Sequence, residues 1–168
     1  KKFDAIVTTD GDGDRPLVGD ENGLWIKADI SGILCAKILE ADSVTTTITV
    51  NGALEKSGFF KEIRRVKIGS PYVIESLQNA TKGGFKRVVG FENNGGFLIN
   101  SDIVNNGKKL KALPTRDAAI VIISLLVKAK TSGKRVSELQ NEIPPRFTDT
   151  GHIQDFPSKV GLSLIQNF

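Results

Sequence analysis

The sequence predicts an α/β fold, a mixed sheet with helices packed on it, and three observations carry that reading. Short β-branched apolar segments alternate with segments of helical period in the order β, α, β, α, β, α, with hairpin additions. Side-chain capping signals precede the helical segments and glycines close them. At 168 residues, 39% hydrophobic and 25% charged, the chain can make one good core, or one domain with pieces of its neighbours.

Taken in order, "FDAIVTT" (3–9) reads as a buried strand that ends at an acidic loop. "PLVGD" and "LWIK" flank Glu21-Asn22-Gly23, which predicts a tight turn and a small hairpin. Asp29 is expected to cap a helix to about Ala41, with Ile30, Ile33, Leu34 and Ile38 on its apolar face. Cys35 lies beside that face and reads as a buried structural thiol. "SVTTTITV" (43–50) is a strand broken by Asn51-Gly52, residues 53–60 a short helix, and "RRVKI" (64–68) a strand. Ser70-Pro71 starts a helix carrying Val73, Ile74 and Leu77 and ending near Lys82-Gly83-Gly84. "RVVGF" and "FLIN" are strands joined by the loop "ENNGG", and Thr115 is expected to cap a helix to Lys130 that stops at Gly133. From Lys134 a short helix, a Pro-Pro break and a polar stretch read as a connector, and "PSKVGLSLIQNF" as a further helix.

Composition excludes some functions. The longest apolar run, Ala118 to Val127, falls short of the roughly 18 residues of a membrane helix, so no membrane partner is expected. The basic residues are dispersed apart from "KEIRRVK" (61–67), and one Trp and one Tyr give little for bases to stack on, so no nucleic-acid partner is expected. A single cysteine rules out an internal disulfide framework and suggests a cytoplasmic protein. The chain holds no methionine and opens close to a strand, which suggests a piece of a longer polypeptide.

The chemistry concentrates in "DGDGDR" (10–15). Alternate glycines let the backbone curl until Asp10, Asp12 and Asp14 converge, and carboxylate oxygens are hard ligands suited to Mg²⁺ or Ca²⁺. Magnesium keeps positions open for phosphate oxygens, and Arg15 can grip the same phosphate. Three rivals remain. An EF-hand loop would count Asp10, Asp12, Asp14 and Glu21 as ligands, but Arg15 stands where a glycine turns the chain. A haloacid-dehalogenase-like phosphatase would want Thr or Val after its Asp-x-Asp. A solvated acidic turn would need neither the glycines nor the arginine.

With "GFENNGGFLINSDI" (90–103), "KSGFFKEIRRVKIGSPYVIESL", "LPTRDAA" and "PPRFTDTGHIQDFPS", the acidic loop resembles the α-D-phosphohexomutases, the phosphomannomutase and phosphoglucomutase family, over essentially the whole chain. The resemblance implies a domain-3-like fold with partial flanking domains: residues 1–24 as the end of domain 2 with the metal loop, 25–133 as the sugar-binding domain 3, and 134–168 as connector and start of domain 4. It implies Mg²⁺ on Asp10, Asp12 and Asp14, shared with a phosphoserine phosphate that Arg15 also holds. Glu92 and Asn94 would bind sugar hydroxyls, one carboxylate accepting from two neighbouring hydroxyls, and Lys67 would sit beside the substrate. Ile68-Gly69-Ser70 departs from the Thr-Gly-His of many members, so no acid–base role is carried over to that loop, and His152 is assigned no chemistry.

The implied substrates are a hexose phosphate and its 1,6-bisphosphate. Neither a Thr-x-Ser-His-Asn-Pro nucleophile loop nor an Arg-x-Ser-x-Thr/Asn phosphate clamp occurs in these residues, so the expected partners include missing domains of the same polypeptide, and the chain alone is expected to be inactive as a mutase. A Mg²⁺-dependent phosphatase of another family and a non-catalytic sugar-phosphate-binding module stay open.

Overall fold

The computed structural model describes residues 2–149, 151 and 153–167. His152 lies outside them. Two strands, β1 (Ile6–Thr9) and β2 (Pro16–Gly19), form an antiparallel ribbon whose tip is the acidic loop. Helix α1 (Ala28–Ile38) then leads to β3 (Ser43–Thr47), the short α2 (Ala53–Lys56), β4 (Glu62–Val66), α3 (Ser70–Lys82), β5 (Val88–Phe91) and β6 (Phe97–Ile99). A second ribbon, β7 (Ile103–Asn105) and β8 (Lys108–Leu110), precedes α4 (Ala118–Ser132), the one-turn α5 (Val136–Leu139) and α6 (Ser158–Gln166).

The central sheet has the order β4-β3-β5-β6, with β3, β4 and β5 parallel and β6 antiparallel at one edge. Strand β5 divides its side chains between the two faces, as the two-residue period requires. Val88 packs with Val73, Leu77 and Ala80 of α3, whereas Val89 and Phe91 join Ile33 and Leu34 of α1 and Val121 and Leu125 of α4. The result is an α/β/α sandwich covered on both faces. Gly90 permits the close approach of α3, because a Cβ there would meet Val73 at 2.9 Å and the Thr45 carbonyl at 3.0 Å.

The polar strand β3 survives burial because its hydroxyls are paired. Thr46 donates to the Phe91 carbonyl at 2.7 Å, and Thr45 and Ser76 hydroxyls lie 3.2 Å apart. Cys35 is fully buried, as expected, and desolvation pushes its thiol up to about 12, with a Ser124 hydrogen bond opposing.

Several expectations need correction. Strand β1 is exposed rather than buried: among the described residues it pairs only with β2, and Ile6 and Val7 are 45% and 44% exposed. The turn at Glu21-Asn22-Gly23 is present, but its second arm is a single bridge, Gly19 to Trp25, and the true hairpin partner of β2 is β1. Asp29 does not cap α1; Lys27 holds the N-cap position, and the Asp29 carboxylate accepts from the Ile30 and Asn51 backbone N–H groups. Asp117, not Thr115, caps α4, accepting from Ala119 and Ile120 N–H, because Asp117 N–H is itself tied to the Phe97 carbonyl. Strand β3 ends at Thr47, α2 is a single turn, and β4 begins two residues early, at Glu62. The start of the expected connector is packed: Val136, Leu139 and Ile143 enter the core beside Val18 of β2. Helix α6 forms as expected and is largely exposed.

Candidate cation and sugar-binding site

Three parallel strands end at one sheet edge, at Thr47, Val66 and Phe91, and the crevice beyond such carboxyl ends is where open α/β sheets place ligands. Glu92 leaves β5 at that edge and Lys67 leaves β4, while α3 begins beside them. Gly95, at φ +96°, turns the loop back into β6, with Gly95 N–H donating to the Glu92 carbonyl and Glu92 N–H to the Gly96 carbonyl. A cavity of about 480 Å³ opens next to this loop, lined by Lys27, Asp29, Thr49, Asn93 and Thr148. Another of about 470 Å³ lies at the opposite ends of the strands, lined by Asp42, Lys61 and Arg87, away from these groups.

Glu92 is only 3% exposed. Ser70 donates to Oε1 at 3.0 Å, and Asn94 Nδ2 and Arg116 Nη2 donate to Oε2 at 3.1 and 3.0 Å. A carboxylate offers about four lone-pair sites, so these donors leave one, on Oε1. Asn94 Oδ1 accepts from Gly96 N–H and keeps its other lone pair. Sequence reasoning expected Ser70 to cap α3; Gly69 occupies that position and the Ser70 hydroxyl turns to Glu92.

At the tip of the β1–β2 ribbon, Asp10, Asp12 and Asp14 each present an oxygen within 4.8 Å of the others. Gly13, at φ +77°, supplies the curl, closed by Gly13 N–H on the Asp10 carbonyl at 3.1 Å. Arg15 Nε bonds Asp10 Oδ2, its backbone N–H reaches Asp10 Oδ1 at 3.2 Å, and Nε lies 3.6 Å from Asp14 Oδ1. Desolvation works to raise the Asp10 carboxyl, but the Arg15 backbone N–H and the Arg15 guanidinium outweigh it and hold Asp10 low. The same contact raises Arg15. Asp14 Oδ1 is buried without a hydrogen-bond partner, so the loop carries an orphaned acceptor among converging carboxylates. That donor set, hard and anionic with one buried oxygen unmet, fits a hard divalent cation. Glu21 is not part of it: its carboxylate accepts from the Ser137 hydroxyl and N–H, which removes the twelfth-position ligand of an EF-hand.

The two loops meet. Arg116 Nη1 lies 3.3 Å from Asp14 Oδ2 while Nη2 holds Glu92, and a Cβ on Gly95 would lie 3.1 Å from the Pro16 carbonyl. Sequence reasoning missed Arg116, although it stands in the "LPTRDAA" segment. Lys67 lies at the same sheet edge, but its ammonium sits 5.9 Å over the Tyr72 ring and, among the described residues, makes no ion pair. Arg64 and Arg65, in the basic segment 61–67, are paired with Glu62 and Glu55.

Residues 27–147 match the family model "Phosphoglucomutase/phosphomannomutase, alpha/beta/alpha domain III". The chain is 46% identical over 164 residues to a phosphomannomutase of Salmonella muenchen, covering 98% of this chain and 34% of that protein. It is 40% identical over 158 residues to a phosphomannomutase of Sinorhizobium fredii, covering 92% and 32%. It thus spans about a third of the length of the curated relatives it matches. Among solved structures, one of a putative phosphomannomutase from Thermus thermophilus superposes with a TM-score of 0.64 at 22% identity, covering 82% of this chain and 30% of that one. An N-acetylglucosamine-phosphate mutase in a substrate complex superposes at 0.58 with 16% identity, covering 83% and 33%. These last two likenesses speak to the fold.

Proposed function

Since the chain belongs to the phosphoglucomutase/phosphomannomutase family, we propose that it supplies the cation-binding and sugar-reading surfaces of an enzyme interconverting hexose 1- and 6-phosphates. The observation that carries this reading is the junction of the acidic loop and the Glu92 loop through Arg116. A phosphate held at the first loop would bring its sugar to the second.

Asp10, Asp12 and Asp14 would hold Mg²⁺, which supplies Lewis-acid stabilisation of charge on a transferring phosphoryl group. Arg15 keeps Nη donors beyond those on Asp10 and can grip the oxygens of that phosphate. The one open site on Glu92 Oε1 accepts one sugar hydroxyl, and the open lone pair of Asn94 Oδ1 a neighbouring one. Such contacts do not read carbon 2, where glucose and mannose differ. They also tolerate the sugar turning round, so that either its 1- or its 6-position faces the phosphate donor. In this reading the donor is a phosphoserine, the intermediate is a bisphosphorylated hexose, and both the serine and the clamp for the distal phosphate come from segments other than these residues. Lys67, free at the same edge, is placed to attract the anionic substrate.

Titration calorimetry of the 168-residue chain with mannose 1-phosphate, with and without Mg²⁺, tests the reading. Binding that Mg²⁺ tightens about tenfold, a gain that disappears in Asp12→Ala, is expected, with no mutase turnover. Robust mutase turnover by this chain alone, or Mg²⁺-dependent hydrolysis of p-nitrophenyl phosphate, would overturn it in favour of a self-sufficient phosphotransferase or phosphatase.

A further inference from the structure

We propose that Arg116 is a positioning residue that couples the two loops, so that cation binding at the acidic loop tightens sugar-phosphate binding at Glu92 and the reverse. The inference rests on the proposed function and adds what neither loop shows alone. One guanidinium spans the loops, Nη1 on Asp14 Oδ2 at 3.3 Å and Nη2 on Glu92 Oε2 at 3.0 Å. Its partners are 102 and 24 residues away in sequence, so the link is purely tertiary.

The arm has little freedom. The next residue, Asp117, caps α4 and donates its N–H to the Phe97 carbonyl, which fixes the backbone from which Arg116 projects. Gly96 leaves room for the arm, since a Cβ there would come within 2.7 Å of Arg116 Nε. Arg116 Nε and Asp14 Oδ1 are both buried and both lack a hydrogen-bond partner. A cation taking Asp14 Oδ1 would leave Oδ2 on Arg116, so the carboxylate would be held between metal and guanidinium. Settling Asp14 settles Arg116, and Arg116 orients Glu92 with its open lone pair towards the sugar. The coupling is reciprocal, because binding free energies at linked sites must be.

The test is a linkage square on the 168-residue chain. Mn²⁺ affinity is measured by electron paramagnetic resonance with and without mannose 1-phosphate, and mannose 1-phosphate affinity by calorimetry with and without Mg²⁺. In the wild type each ligand is expected to tighten the other by about tenfold. Arg116→Gln should reduce both factors to about twofold or less while each ligand still binds. Arg116→Lys should not restore them, because a single ammonium lacks the fork that reaches both carboxylates. Ser70→Ala, which removes a Glu92 contact without touching Asp14, should keep the mutual factor. Hydrogen exchange supplies a readout without sugar: Mg²⁺ should protect the amides of residues 92–96 in the wild type and not in Arg116→Gln. Equal mutual factors in wild type and Arg116→Gln, with both ligands binding, would overturn the coupling and leave the proposed function standing. A wild-type chain that binds neither probe would overturn both.

Discussion

The Ser70 hydroxyl donates a 3.0 Å hydrogen bond to Glu92 Oε1, across 22 residues of sequence and between two separate elements of the sheet edge. Ser70 opens α3, where a serine is expected to serve its own helix, yet its hydroxyl is spent on the neighbouring loop. Ser70→Ala should therefore leave α3 intact and weaken mannose 1-phosphate binding about fivefold, the worth of one hydrogen bond of about 1 kcal/mol. Far-ultraviolet circular dichroism and calorimetry together check this. Helix loss with unchanged affinity would contradict it.

Asp12 is the exposed member of the acidic triplet, and its carboxylate is not tied to an arginine as those of Asp10 and Asp14 are. Asp12→Asn should lower Mn²⁺ affinity by at least about tenfold. In metal-free buffer the melting temperature should not fall, since the change removes repulsion among three carboxylates. A lowered metal-free melting temperature with unchanged Mn²⁺ affinity would mean the loop is a structural turn.

Glu142 is held low enough to make the fold sensitive to acid. Hydrogen bonds from Lys134 at 2.6 Å and Lys37 at 2.8 Å push its carboxyl down to about 2 from an ordinary 4.5. A depressed carboxyl stabilises the fold above its unfolded value, so the contribution is whole above about pH 4.5 and is lost as pH falls towards 2. Both ammonium groups are partly exposed, so solvent screening limits the worth to about 1 kcal/mol. Glu142→Gln should lower the melting temperature by about 3 °C at pH 7. The difference from wild type should shrink below pH 4.5 in thermal scans.

Cys35 should resist a thiol-specific disulfide reagent at pH 8 and react fully once the chain is unfolded in guanidinium. Its thiol is buried and held up to about 12, so little nucleophilic thiolate forms in the native state. Rapid native labelling would mean that α1 opens readily from α4.

Gly32 should tolerate no side chain. A Cβ there would meet the Phe91 ring at 2.5 Å, and that ring is fully buried and stacked on Phe97 at a centroid distance of 6.1 Å. Gly32→Ala is expected to cost about 2 kcal/mol by overpacking, read from urea unfolding.

The alternation of strand and helix was legible because periodicity is local: "RVVGF" and the Ser70-Pro71 start both sit within two residues of their observed positions. The β7–β8 ribbon was missed although Asn106 and Gly107, at φ +49° and +74°, form a hairpin signal between its strands. Capping was misassigned at Asp29 and Thr115 because a carboxylate or hydroxyl near a helix start has several possible donors. Which one it meets depends on Asn51 for the first, and on the Phe97 carbonyl's hold on Asp117 for the second.

By itself the sequence determined the acidic loop, since Gly13, at φ +77°, gives the curl that brings Asp10, Asp12 and Asp14 together. It also determined the α/β layering and the turn that carries Glu92. Only the tertiary structure decided that these two loops share a guanidinium, that Ser70 turns to Glu92, and that β1 stands exposed. The physical reason is range. Backbone curl and hydrophobic period are set by neighbours in the chain, whereas an ion pair across 102 residues exists only once the sheet has brought its ends together.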